Sequence, residues 1–283
     1  MGDQRRITKQ HVVSQVLLGE FAVNGRLEVE DARRPGRWRL KSPAAVAYVK
    51  DYVRYDNTGA EATWQTVETR LRDALDELRT DEPPPRGSAA EAALLDCVAL
   101  HWARSIPVRA VSERAWRCVR AQSMAAMAER PDVLARLHMQ ATGRPAGPGD
   151  LLEVNERLHQ GPAQIQSGEH FSDRVRQFFD KARDRFVGLS LQVGWCTEDA
   201  EDLLLSDSPV VTPSRSRTGL NPEQGVALGD AYAVGMPLGP RLFVSLHDRP
   251  ERAVIAPEQA RRLNGWQRQV RRSQLFRRPV PAP

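Results

Sequence analysis

The apolar pattern of this chain changes period near residue 189, and that change limits what the chain can fold into more than any other feature. Before it the spacing is helical. Trp64, Val67, Leu71, Leu75 and Leu78 predict an amphipathic helix over residues 60–79, on which Glu68 and Arg72 stand one turn apart and can pair. The run 83–87, three prolines followed by Arg86 and Gly87, stops it. Ser88 with Glu91 then forms a capping box for a second helix, whose buried side is Leu94, Leu95, Val98 and Leu100. Pro107 bends or ends that helix, and Ser112 opens another through Trp116, Val119 and Met127 to Ala128. Residues 131–140 predict a short helical turn and 143–149 a loop. Ser172 is a good N-cap for a long helix with Val175, Phe178, Phe179, Ala182 and Phe186 on one face. Beyond 189 the apolar runs are short. Residues 189–196 and 203–205 predict two strands joined by the acidic turn 197–202, and 231–236 and 241–246 predict two more after a polar loop, 212–229. A helix from about Pro257, with Leu263, Trp266 and Val270 inward, closes the chain.

The N-terminal part has its own order. Residues 11–21 predict a short helix ended by the turn signal Asn24-Gly25, and 26–30 with 38–40 predict a half-buried β-hairpin. An aromatic cluster, Tyr48, Tyr52 and Tyr55, leads on to the helices. The fold class that follows is α+β, a helical layer from the middle of the chain packed on an antiparallel sheet formed by N- and C-terminal strands. The expected organisation is one domain over 1–278, with a helical middle at 88–188, a strand-rich part at 189–256 and a tail at 279–283.

Composition narrows the function classes. Of 283 residues, 41% are hydrophobic and 27% charged, which suits a globular protein with a substantial core. Three cysteines, Cys97, Cys118 and Cys196, are too far apart and odd in number for a disulfide framework. Neither a signal-peptide pattern nor a membrane-length apolar run occurs, so a cytoplasmic location with no membrane contact is expected. The six histidines lack metal-ligand spacing, and no phosphate-binding glycine motif is present. No metal and no cofactor are therefore expected.

Three stretches together resemble the bacterial domain-of-unknown-function family 4238. The run Lys9 to Phe21 reads Lys-x-His-x-Val-x-Gln-x-x-Leu-x-x-Phe and is similar to that family's opening, Lys-x-His-His-Tyr-x-Pro-Gln-x-x-Leu-x-x-Phe. Ser206-Asp207-Ser208-Pro209-Val210 resembles its Thr-Ser-Asp-Asn-Pro-Val segment, and Met236-Pro237-Leu238-Gly239-Pro240 its Pro-Leu-Ser-Pro segment. Arg104 with Pro107 is similar, more loosely, to its Arg-Thr-Pro segment. Gln10 stands where the family often has its first histidine, Val12 replaces the tyrosine, and Ser14 replaces the proline. The resemblance implies an architecture and a set of residues, but no reaction.

The candidate catalytic residues are His11, Asp207 and Glu68. A histidine exchanges protons near neutral pH, and an Asp in a tight Ser-Asp-x-Pro turn could orient it; the alternative is that Asp207 caps its own turn and His11 donates to a buried carbonyl. Gln15, His101, Arg104, Arg109 and Asn264 are the candidate ligand-binding positions. His101, Arg104 and Ser105 share a helical face on which a phosphate or carboxylate could meet a cation, unless Arg104 or Arg109 pairs with Glu113 or another acid on a neighbouring helix. After Glu258 the chain has no acid, and Arg261, Arg268 and Arg272 line the polar face of the last helix. That face is either simply solvated or touches a phosphate backbone. Two functions are expected from these residues. One is a hydrolase acting on a phosphate-containing substrate such as nucleic acid; the other is a non-catalytic ligand-binding or sensing module in a bacterial stress or phage-response setting.

Overall fold

The computed structural model describes residues 9–50, 52–53, 59–80, 82–164, 169–213, 225–229, 231–247 and 253–280. Tyr55 and residues 214–224 of the polar loop lie outside the described residues. The chain divides into two compact units, one made from Met1–Arg109 with Ser172–Pro283 and the other from Ala110–Phe171.

The first unit opens with a strand, β1 (Lys9–His11), and a short helix, α1 (Gln15–Glu20), where the periodicity predicts one helix. Ser14 divides them. Its backbone is non-helical (φ −55°, ψ 137°) and its Oγ accepts from the Val16 N–H at 3.2 Å, so it caps α1 and keeps His11 off the helix. The predicted hairpin forms from β2 (Leu27–Asp31) and β3 (Trp38–Lys41), in a turn that needs Gly36 at φ +79°. A third short strand, β4 (Tyr48–Lys50), pairs antiparallel with β1 and sets Tyr48 opposite His11.

Two packed helices follow, α2 (Ala60–Glu77) and α3 (Ala89–Ala103). On α2 the predicted stripe Trp64, Val67, Leu71 and Leu75 is buried. Ser88 caps α3 by accepting from the Glu91 N–H at 3.1 Å, while the Glu91 carboxylate takes the Gly87 N–H. Ten residues of α3 are buried, among them Asp96 and His101. A helix buried nearly all round is an internal one, and its polar residues must find partners. Asp96 does so by accepting from Arg70 and Arg183 at 2.9 and 2.8 Å.

The next helix, α4 (Ile106–Ala128), begins before Ser112, because Pro107 fits the first turn, where its missing N–H leaves no bond unmade. Most of α4 belongs to the second unit, with α5 (Pro131–Thr142) and α6 (Pro148–Gln164). α5 ends at Gly143, and α6 fills a stretch for which the sequence predicts nothing beyond a loop up to 149. Val119, on the helix the sequence opens at Ser112, is 60% exposed. In this unit Glu113 accepts the Phe171 N–H at 3.1 Å.

Back in the first unit, α7 (Glu169–Phe186) starts upstream of Ser172, which is therefore a buried helical residue and not the cap. Val175, Phe179, Ala182 and Phe186 are buried along one face as predicted. The strands β5 (Ser190–Cys196), β6 (Leu205–Ser206), β7 (Val234–Gly239), β8 (Leu242–His247) and β9 (Ala253–Ile255) come next. The last helix, α8 (Pro257–Val270), is followed by a further strand, β10 (Gln274–Arg277).

The fold is mixed α+β, and its strands form three sheets: β1–β4, β3–β2–β10–β6 and β7–β8–β5–β9. The second is the antiparallel sheet shared by the two ends of the chain. β5 and β6 fall in different sheets, so 197–202 does not close a hairpin. β9 adds to β5 in parallel. In the third sheet the Phe243 ring lies directly on Gly235, where a Cβ would stand 2.7 Å from it.

Candidate functional site

β1, α1, α2 and α3 bring four of the predicted residues together in the first unit. Arg104, just past the end of α3, is 2% exposed and sits at the centre. Its Nη1 donates to Glu68 Oε1 at 2.8 Å, its Nη2 meets His101 Nε2 at 3.1 Å, and its guanidinium lies 5.7 Å from the centre of the Trp64 ring. A buried cation needs this: one carboxylate offsets the charge and further acceptors take the remaining N–H groups. The Arg104 Nε is buried and has no hydrogen-bond partner among the described residues. Glu68 thus pairs with Arg104 and not with Arg72, and the partner of Arg104 is an acid on a neighbouring helix, as one reading expected, but Glu68 and not Glu113.

His101 is fully buried. Its Nδ1 donates to the Cys97 carbonyl at 2.8 Å, which makes Nε2 the acceptor for both the Ser14 N–H at 3.1 Å and Arg104. Burial, with the adjacent Arg104 charge, pushes its pKa well below the usual 6.5. The ring is therefore a neutral spacer between α1 and α3. Burial likewise raises the neighbouring Cys97 thiol to about 12, so this cysteine is inert.

His11 is different in kind. It is half-buried at the end of β1, edge-on to Tyr48 with ring centres 6.2 Å apart. One ring nitrogen is taken by the Ala44 carbonyl, and the Gln15 amide nitrogen is 3.4 Å from the ring nitrogens. Desolvation lowers its pKa; of the charges in range, Arg104 and Lys9 add to that and Glu68 opposes it. His11 is thus neutral at pH 7, with one nitrogen able to accept a proton. Lys9, 5.0 Å from the centre of the Tyr48 ring, and exposed Gln15 border it.

The other predicted residues serve elsewhere. Asp207 is 1% exposed and accepts from the Arg272, Ser273 and Gln274 N–H groups at 2.7, 2.7 and 3.1 Å and from Ser273 Oγ at 2.6 Å. These bonds use both carboxylate oxygens, so Asp207 holds the turn between α8 and β10 and does not orient His11. Arg109 stacks 4.7 Å over the ring of Tyr52, whose hydroxyl donates to the Arg104 carbonyl at 2.8 Å. Asn264 accepts the Leu204 N–H and donates to Glu201 and the Asp202 carbonyl, each within 2.9 Å. It ties α8 to the segment before β6. On α8, Arg261 and Arg268 are exposed, as is Arg272 beyond its end. Three other C-terminal arginines find acids, Arg271 on Glu30, Arg277 on Glu28 and Arg278 on Asp202.

Two buried amides carry structure that sequence reasoning missed. Gln10, 4% exposed, accepts the Val53 N–H at 2.5 Å and donates to Glu61 at 2.7 Å. Gln267, one turn from Asn264, accepts the Ser206 N–H and donates to the Pro209 carbonyl. The only available sequence signal was an uncharged polar residue on an otherwise apolar face.

Among the described residues, no three His, Cys, Asp or Glu side chains stand together as a metal site. No helix among them is long and apolar enough to cross a membrane. No curated protein and no solved structure matches the chain. A family model described as a protein of unknown function, DUF4238, matches residues 9–279, nearly the whole chain, and the protein belongs to that family.

Proposed function

We propose that the cluster around His11 is a hydrolytic site for a phosphate-containing substrate such as nucleic acid. The observation that carries this reading is the contrast between two neutral histidines in one cluster. Both nitrogens of His101 are spent on buried partners, whereas half-buried His11, beside the Ala44 carbonyl, has only the exposed Gln15 amide at 3.4 Å, a long contact that a water can replace. In this reading His11 takes the proton of an attacking water, and Glu68, held by Arg104, stabilises the imidazolium that results. Lys9 beside the Tyr48 ring supplies a cation and an aromatic face, the pairing that suits a phosphate next to a base. The arginine surplus of the chain favours the same substrate class.

A second reading, a non-catalytic binding module, is favoured by the way Glu68 already offsets the charge of Arg104. The test is turnover of single-stranded DNA, single-stranded RNA and mononucleotides by the wild type and by His11→Ala. Wild-type cleavage abolished by His11→Ala, with the melting temperature within about 2 °C, establishes the enzyme. Binding without cleavage, weakened by His11→Ala, establishes the module. Cleavage that persists in His11→Ala overturns the assignment.

A further inference from the structure

The face of the β7–β8–β5–β9 sheet that meets α8 does not close. Between them lies a cavity of about 150 Å³. Its floor is part of a local apolar core in which Val211, Phe243, Ile255 and Leu263 are buried, with Trp266 packed against them. Protein interiors are normally filled to crystal-like density, and an apolar space of this order is large enough to take an aromatic ring.

The cavity is not uniformly apolar. In the β5–β8 register Gln192 stands opposite Ser245, and the strand period puts His247 on the same face. Ser245 Oγ lies 3.1 Å from Gln192 Oε1 and 3.0 Å from His247 Nε2, so polar groups occupy one wall. Exposed Tyr232 and exposed Arg262 stand at the opening. Arg262 lies 5.3 Å from the centre of the Trp266 ring and has no carboxylate partner among the described residues, although Glu258 precedes it by one turn. A guanidinium over an aromatic ring, without a carboxylate partner among the described residues, at the mouth of an apolar cavity with one polar wall, has the layout of a site for a flat ring bearing one negative charge.

We propose that this cavity binds a small aromatic carboxylate, with the ring against Phe243, Leu263 and Trp266 and the carboxylate on Arg262. The site shares no residue with the His11 cluster. The inference is independent of the hydrolytic reading.

The probes are 2-naphthoate and its uncharged analogue 2-naphthalenemethanol, titrated calorimetrically against the full chain. Wild type is expected to bind both, naphthoate more tightly. Arg262→Gln, on an exposed helix face, should weaken naphthoate about tenfold and leave the alcohol unchanged, as expected for losing one charge-assisted hydrogen bond. Ala253→Phe, at a half-buried lining position, should abolish binding of both. Failure of the wild type to bind either probe at millimolar concentration overturns the proposal. So does naphthoate binding that Arg262→Gln leaves unchanged, and this comparison decides the matter if Ala253→Phe does not fold.

Discussion

Arg104 and Glu68 form an ion pair at 2.8 Å in which the cation is 2% exposed and the acid is partly exposed. The asymmetry assigns their roles. Arg104 directs its charge to Glu68 inside the protein, with its Nε left without a hydrogen-bond partner among the described residues. Glu68, 27% exposed, can meet a ligand.

Removing Glu68 leaves a buried guanidinium without its counter-charge. Glu68→Ala is therefore expected to cost about 3 kcal/mol in urea denaturation, and Arg104→Met in the same chain to recover part of that loss. If the single variant is as stable as the wild type, the pair has no structural weight.

The neutral state of His101 makes the fold sensitive to acid. Its folded pKa lies below the usual 6.5, so below pH 6.5 the unfolded chain binds a proton that the native state does not. The stability from the neutral ring is fully present above pH 6.5 and is lost as pH falls below it. His11, shifted the same way, adds to the slope. The urea midpoint should fall steadily from pH 6.5 to 5, and His101→Gln should be weaker at pH 7.5 with a flatter dependence. Equal slopes for the two proteins would refute this.

Asp207 holds four donors around the turn that leads into β10. Asp207→Ala strands three backbone N–H groups and should cost about 3 kcal/mol or more, whereas Asp207→Asn keeps part of the turn and should cost less. Where the proposed hydrolysis is observed for the wild type, turnover per folded molecule is expected to survive in Asp207→Asn. Loss of turnover without loss of stability would restore Asp207 to the site.

Ser14→Pro tests the junction between β1 and α1. The φ of −55° suits a proline ring, and the related family pattern carries proline at this place, but here the N–H donates to His101 and the hydroxyl caps α1. Both are lost together, and thermal denaturation should show a cost of about 2 kcal/mol. A neutral or stabilising effect would mean that His101 finds another donor.

The parts of the fold legible in the sequence are those whose information is local. The stripe from Trp64 to Leu75, the Ser88 cap and the 27–41 hairpin repeat or terminate within a few residues, and each formed where it was expected. β10 was illegible for the opposite reason. Its apolar pair, Leu275 and Phe276, stands among arginines that look like a solvated tail until Glu28, 249 residues from Arg277, is brought alongside. Ser172 misled because a capping residue has the same chemistry inside a helix as at its end.

The candidate site divides in the same way. Residue chemistry together with the family resemblance picked out His11, Glu68, His101 and Arg104, and the sequence by itself determined that such polar residues in apolar surroundings need partners. Which partners they take was decided only by tertiary structure. Glu68 could reach Arg72 along its own helix, but Arg104, buried and without another counter-charge, gains far more from it than an exposed arginine would. His11 and His101 are likewise the same residue type in sequence. Burial and the Ser14 and Cys97 backbone groups spend one of them, and leave the other half-buried with the exposed Gln15 amide at 3.4 Å from its ring nitrogens.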